Sequence, residues 1–182
     1  AMTVTDQAPA DGSRVTLIYS RRAELKEHFI GNGNPTPSPP TAGWNREHLW
    51  PNSLGIDDQE PLYSDLFNLR PADVDVNADR GNLYFDESTT GTGYESPANA
   101  EATFCTQDGN SWEPPAGVKG DIARSMFYMD VRYEGTNGEI DLQLRQDADP
   151  DALAGHIHRR AAVGTVGAAV EDRDDPVRGM DK

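Results

Sequence analysis

The sequence has a single cysteine, Cys105, so no internal disulfide framework can form. No apolar run is long enough to span a bilayer. The longest candidate, Ala161 to Val170, holds two glycines and falls well short of the roughly 20 residues a spanning helix needs. No basic start is followed by an apolar stretch, so no signal peptide is visible in this chain, and the opening Ala1-Met2 reads as the scar of a cleaved tag. Basic residues are scarce. Sixteen Lys and Arg stand against 31 Asp and Glu, a formal net charge of −15 that repels polyanions at long range. The acidic excess reads first as a solubility or salt-adaptation surface and second as a means of binding cations or basic partners. Any contact with nucleic acid would need a local basic patch and a divalent metal to offset that field.

The 182 residues amount to one domain by length, with 36% hydrophobic residues and a mean hydropathy of −0.71 describing a polar but foldable chain. Thirteen prolines and 17 glycines imply many loops. Residues 1–13 read as a flexible tail. Arg14 to Tyr19 suits a short strand, Ala23 to Phe29 has helical composition, and the Pro/Gly/Asn run over 31–43 is a loop. Trp44 to Trp50, stopped by Pro51, suits a strand and Tyr63 to Leu69 a second. Pro71 then opens a helix whose body, Ala72 to Arg80, ends at Gly81. Residues 86–116 are loop-rich. Asp121 suits the cap of a helix from Ile122 to about Tyr133, in which Ile122, Met126 and Met129 recur at helical spacing. Glu139 to Leu144 reads as a strand or a helix start, and Asp151 to about Ala162 as a helix. The expectation is an α+β fold with one domain over 14–162, a strand–loop–strand–helix centre over 44–85, and a diverged or shortened C-terminal segment, open to disorder, over 163–182.

The chemistry concentrates in Asn45-Arg46-Glu47-His48-Leu49-Trp50-Pro51. Adjacent residues on a regular strand face opposite ways, so Glu47 and His48 would need a bend to serve one site. Asn77 and Arg80, three apart, share a helix face. A histidine, a carboxylate and an amide oxygen make an oxygen-rich, partly hydrated site that suits Mg²⁺, with Mn²⁺ or Ca²⁺ as alternatives. Zinc is poorly served, because no cysteine or second histidine lies nearby in sequence. Taken alone, His48 would read as a structural or surface histidine, Glu47 as strand-end charge and Asp65 as a turn acceptor. Trp50, Phe67 and Phe85 read as core. His156 and His158, beside Arg159-Arg160, read as a solvated or phosphate-facing patch, and the acidic runs 147–151 and 171–175 as solvated charge.

Three ordered blocks change that weighing: Arg46-Glu47-His48-Leu49-Trp50-Pro51; then Tyr63 to Asp73 with Asn77-Ala78-Asp79-Arg80-Gly81-Asn82-Leu83-Tyr84-Phe85; then Trp112 to Tyr133. Together they closely resemble the bacterial endonuclease I family of ββα-metal, or His-Me finger, nucleases. The resemblance implies a His-Me finger core with loop-rich surroundings and additional helices. It also implies Mg²⁺-dependent hydrolysis of DNA, with RNA as a further substrate, and little sequence preference. His48 matches the family's general base, Glu47 its acidic metal ligand and Asn77 its amide ligand. An arginine at the phosphate is expected: Arg46, Arg70 and Arg80 are candidates, and Arg80 is preferred for lying one turn from Asn77. Secretion or a periplasmic location is implied, with a monomer favoured. Departures from the family are Phe67, where many members have histidine, and an end that keeps Asp174-Asp175-Pro176-Val177 but lacks the family's terminal block. They leave a catalytically impaired or non-enzymatic acidic binding protein as the alternative.

Overall fold

Apolar side chains organise the chain from its first described residues. The computed structural model describes residues 2–31, 43–136, 138, 140–145 and 156–158. Met2–Thr5 form a short helix, α1. Met2 is buried in a cluster with Val15, Leu17, Trp44 and Leu69, and Gln7 bridges to Val15. The expectation of a flexible tail is therefore corrected for residues 2–8, which one buried methionine and strand-like hydrogen bonds tie down. Strand β1 (Arg14–Thr16) pairs antiparallel with β2 (Ala23–Leu25). The helical composition of 23–29 is overridden: pairing with β1 and the Arg22–Glu24 ion pair draw Glu24 into a strand, and only Lys26–His28 turn, as a 3-10 helix. So short a segment cannot sustain a helix against tertiary pairing.

β3 (Trp44–His48) pairs antiparallel with β4 (Leu69–Asp73), from Trp44 opposite Asp73 to His48 opposite Leu69. The second strand thus lies later in the chain than the alternation over 63–69 suggests. Residues ahead of it run through turns, with the Asp65 carboxylate accepting the Phe67 N–H at 2.9 Å. Pro71 belongs to β4 and does not open a helix. The Leu49 N–H donates to the Asn68 carbonyl at 3.0 Å, which fixes the parity of the ladder and turns Pro71 away from β3, where a missing N–H costs nothing. The Pro71 carbonyl accepts the Ile18 N–H at 2.8 Å on that outer side.

Helix α2 (Val74–Arg80) begins at Asp73, whose carboxylate caps the Asp75 and Val76 N–H groups at 3.0 and 3.3 Å. It ends at Gly81, whose φ of +54° favours glycine. Arg22 ion-pairs with the capping Asp73, tying the β1–β2 unit to the start of α2. β3, β4 and α2 follow one another as strand, strand and helix.

The remaining described elements support this unit. β5 (Tyr84–Phe85) lies parallel to β7 (Ser111–Glu113), which pairs antiparallel with β6 (Thr106–Gln107). Helix α3 (Ala116–Arg132) starts directly after Pro115, so Asp121 lies inside it, paired with Arg124, and is not its cap. Val118, Ile122, Met126 and Met129 form its buried face. β8 (Gln143–Arg145) runs parallel to β9 (His156–His158), so 156–158 is strand where a helix is expected. The rest of 151–162, the segment 163–182 and the acidic runs at 147–151 and 171–175 lie outside the described residues, as does most of the 31–43 loop. Trp50, Phe85, Trp112, Ile122 and Met126 anchor the main core. Phe67 does not join it: it is 57% exposed and stacks on Tyr128 with ring centroids 4.3 Å apart. The fold is mixed α+β, with small sheets and few helices.

Replacing Asp73 by alanine removes two cap bonds and one partner of Arg22. It should destabilise the protein by about 2 kcal/mol, read as a lower urea midpoint with an unchanged slope.

Candidate active site

β4 covers only one edge of β3. Along the other edge the strand's outward carbonyls meet side chains of α2. Asn77 Nδ2 donates to Asn45 Oδ1 at 2.7 Å and to the Arg46 carbonyl at 3.3 Å. Arg80 donates through Nη1 to the His48 carbonyl at 3.1 Å and through Nη2 to the Leu49 carbonyl at 3.0 Å. Carbonyls two residues apart on a strand repeat at about 6.8 Å, whereas residues three apart on a helix rise by about 4.5 Å. The longer reach of Arg80 closes that difference. A cleft of about 640 Å³ opens beside this junction, lined by Arg46, Glu47, His48, Asn77, Asn82 and the 51–58 turn among others.

Glu47 and His48 reach one cleft without the expected bend. β3 holds its register through both residues. Glu47 turns inward and is 2% exposed, while His48 turns outward and is half-buried. The cleft lies against the open edge and end of the strand, so both faces border it.

Glu47 is held from below. Its Oε1 accepts the Tyr19 hydroxyl at 2.5 Å and lies 3.2 Å from Arg80 Nη1. Burial pushes the Glu47 carboxyl above its ordinary range, opposed by the Arg80 charge, the Tyr19 O–H and the His48 N–H. Burial also drives the Tyr19 phenol well up, with the Glu47 charge adding to it, so this hydroxyl stays a donor.

His48 is oriented by the backbone. Its Nε2 lies 2.9 Å from the Tyr63 carbonyl. A carbonyl can only accept, so Nε2 carries the proton and Nδ1 keeps the lone pair. The ring packs against Tyr63 with centroids 4.8 Å apart. Burial lowers the His48 pKa below its ordinary value of 6.5. The Tyr63 carbonyl works against that shift, Arg46 adds to it, and Asp58 and Arg80 contribute smaller opposing effects. The ring is neutral at physiological pH.

The arginines separate by environment. Arg80, expected at a phosphate, is 1% exposed: its guanidinium binds Glu47 and the His48 and Leu49 carbonyls and covers the Phe85 ring at 4.4 Å. It is a structural cation, and that expectation is corrected. Arg70 donates to the Leu66 and Leu69 carbonyls at 3.2 and 3.0 Å, lies 3.9 Å from Asp6, and does not line the cleft. Arg46 is exposed on the cleft wall, its guanidinium 6.0 Å from the Tyr63 ring centroid. The fold therefore brings together Arg46, Glu47, His48 and Asn77, with Arg80 beneath them and Arg70 elsewhere.

The donor set suits a hard cation. Among the described residues both Asn77 hydrogen bonds use its amide nitrogen, which leaves Oδ1 to accept, and Glu47 offers a carboxylate on the same cleft. Among the described residues no three His, Cys, Asp or Glu side chains gather as a metal-holding group. A carboxylate and an amide oxygen with water completing the shell is the pattern Mg²⁺ accepts. Sequence reasoning missed Tyr19, Asn45 and the Asp57-Asp58 pair. Both aspartates take left-handed backbone, at φ of +46° and +59°, where they line the cleft. Asn68 was missed as well: fully buried, it exchanges side-chain hydrogen bonds with the Trp50 backbone at 2.6 and 3.1 Å and so extends the β3–β4 pairing past His48.

The chain also matches known proteins. The family model described as Endonuclease I matches residues 2–150. An extracellular ribonuclease of Bacillus subtilis (strain 168) is 42% identical over 145 residues, covering 79% of this chain and 45% of the relative. One from Bacillus amyloliquefaciens is 42% identical over 146 residues, with the same coverage. An Endonuclease-1 of Buchnera aphidicola is 34% identical over 72 residues, 40% of this chain and 28% of the relative. The chain thus spans less than half the length of the ribonucleases it matches.

Replacing Arg80 by methionine strands Glu47 as a buried charge and takes the donor from the His48 and Leu49 carbonyls. It should destabilise the protein by about 3–5 kcal/mol in urea at neutral pH, and adding Glu47→Gln to that variant should recover part of the loss.

Proposed function

The chain belongs to the endonuclease I family, and we propose that it is an endonuclease hydrolysing phosphodiester bonds in DNA and RNA with little sequence preference. The carrying observation is the junction of β3 and α2. It sets a neutral His48, the Glu47 carboxylate and the Asn77 amide around one cleft. The β3–β4–α2 order supports a His-Me finger reading of the core. The relatives' names, extracellular ribonuclease and Endonuclease-1, support nucleic acid as the substrate, with RNA named for the first.

His48 is the general base. With Nε2–H committed to the Tyr63 carbonyl, the ring orientation is fixed and Nδ1 takes a proton from water as that water attacks phosphorus. Arg46 supplies the exposed positive charge that draws the phosphate into an otherwise acidic cleft containing Asp57 and Asp58. Glu47 and Asn77 would hold Mg²⁺, with Mn²⁺ or Ca²⁺ as alternatives. Such an ion supplies positive charge where negative charge grows on the phosphate and the leaving oxygen. Tyr63 and Asn68 keep the base in place by fixing the 63–68 turn against β3. Among the described residues no helix is long and apolar enough to cross a membrane. The relatives named extracellular support secretion.

Purified protein should degrade plasmid and RNA with Mg²⁺ and leave both intact with EDTA. His48→Ala should cut cleavage by about 10²–10⁴-fold while keeping the wild-type melting profile. The base must be neutral to act, and its pKa is lowered, so the rate should hold to below pH 6.5 and fall only on further acidification. Undiminished cleavage by His48→Ala would reject the assignment. Intact substrate with wild-type protein and magnesium would instead favour a non-enzymatic acidic binding protein on the same scaffold.

A further inference from the structure

Tyr19 lies outside the three sequence blocks, in the segment after β1, and is 1% exposed. The Ile18 N–H binds the Pro71 carbonyl at 2.8 Å, which fastens this segment to β4. The Tyr19 ring meets Trp112 edge-on with centroids 5.5 Å apart and tilts against Phe85 at 6.4 Å. Phenylalanine would satisfy those neighbours equally well. The hydroxyl, however, is delivered to Glu47 Oε1 at 2.5 Å, a short side-chain bond between two buried residues.

Charge balance does not explain this contact, because Arg80 already supplies a positive charge 3.2 Å from the same oxygen. Orientation does. A carboxylate held by one partner can still turn about its terminal torsion, which is broad and soft. Tyr19 and Arg80 come from separate elements, both buried, and both act on Oε1. That leaves Oε2 without a side-chain partner, with the backbone His48 N–H as the carboxylate's remaining neighbour, on the cleft that Glu47 lines.

Resting on the reading of Glu47 as a cation ligand, we propose that Tyr19 is the positioning residue that fixes the Glu47 carboxylate toward a divalent cation in the cleft. Partners that orient a metal ligand commonly change affinity by 10- to 100-fold. The effect should therefore appear in metal binding itself, before any nucleic acid is added.

The test titrates the intact protein with Mn²⁺ alone, reading free ion by electron paramagnetic resonance. Wild type, Tyr19→Phe, Glu47→Gln and Trp112→Phe are compared, with thermal melts confirming that each is folded. Trp112→Phe disturbs the packing around the Tyr19 ring without removing its hydroxyl, and the Trp112 indole N–H has no hydrogen-bond partner among the described residues. Tyr19→Phe should bind Mn²⁺ about tenfold more weakly, with cleavage recovering toward wild type at saturating Mn²⁺, while Trp112→Phe binds as wild type does. Wild-type affinity in Tyr19→Phe would overturn the proposal, as would an equal loss in Trp112→Phe. If Glu47→Gln binds as tightly as wild type, or wild type binds no Mn²⁺, the ligand reading of Glu47 falls first and the role of Tyr19 falls with it.

Discussion

The open edge of β3 is the constraint on which the site depends. An unpaired strand edge leaves carbonyls needing donors and invites pairing with another chain. Here the Ile30 N–H meets the Trp44 carbonyl at 2.7 Å, and beyond it the donors are side chains of α2: the Asn77 amide meets the Arg46 carbonyl, and the Arg80 guanidinium meets that of His48 and, past the strand's end, that of Leu49. The same contacts that satisfy the edge set the helix at a fixed distance and rotation. Asn77 is thereby brought beside Glu47 and His48, and Arg80 is placed beneath them. The cap at Asp73 and the turn at Gly81 limit α2 to the length that fits this edge.

Burial gives the site its electrostatic character. A carboxylate as enclosed as Glu47 is costly to keep ionised, and one arginine with one hydroxyl opposes that cost without abolishing the upward shift of its pKa. Replacing such a buried pair as a whole by apolar residues is often neutral or stabilising, so its presence beside a cleft points to use. Burial of His48 acts in the opposite sense on an imidazole, leaving it neutral and able to accept a proton. The two adjacent residues thus acquire different roles from the two sides of one strand. On the proposed function, the chain's −15 charge would leave attraction of a polyanion to a few local groups, chiefly Arg46 and a cation held by Glu47 and Asn77.

Much of this was legible in the chain, because short-range patterns and family motifs carry it. The Glu47-His48 pair, the helix bearing Asn77 and its stop at Gly81 follow from local signals, and the motif blocks pointed to the family. What was illegible depends on tertiary contact. Pro71 looks like a helix start until the parity of the ladder turns it outward, and 23–29 looks helical until β1 supplies a partner. Arg80 looks like a phosphate ligand because helix spacing places it near Asn77, yet spacing does not reveal that strand carbonyls lie within reach. Tyr19 gave no signal at all, since its relation to Glu47 spans 28 positions of sequence. Phe67 looks like core by type but stacks on Tyr128 at the surface.

Anomalous diffraction from a crystal of the protein soaked in Mn²⁺ would test the central claim most directly. The account predicts one dominant peak shared by the Glu47 carboxylate and the Asn77 amide oxygen, with His48 Nε2 still on the Tyr63 carbonyl. A peak held by Asp57 and Asp58 with none at Glu47, or an Asn77 side chain turned away from the ion, would contradict it.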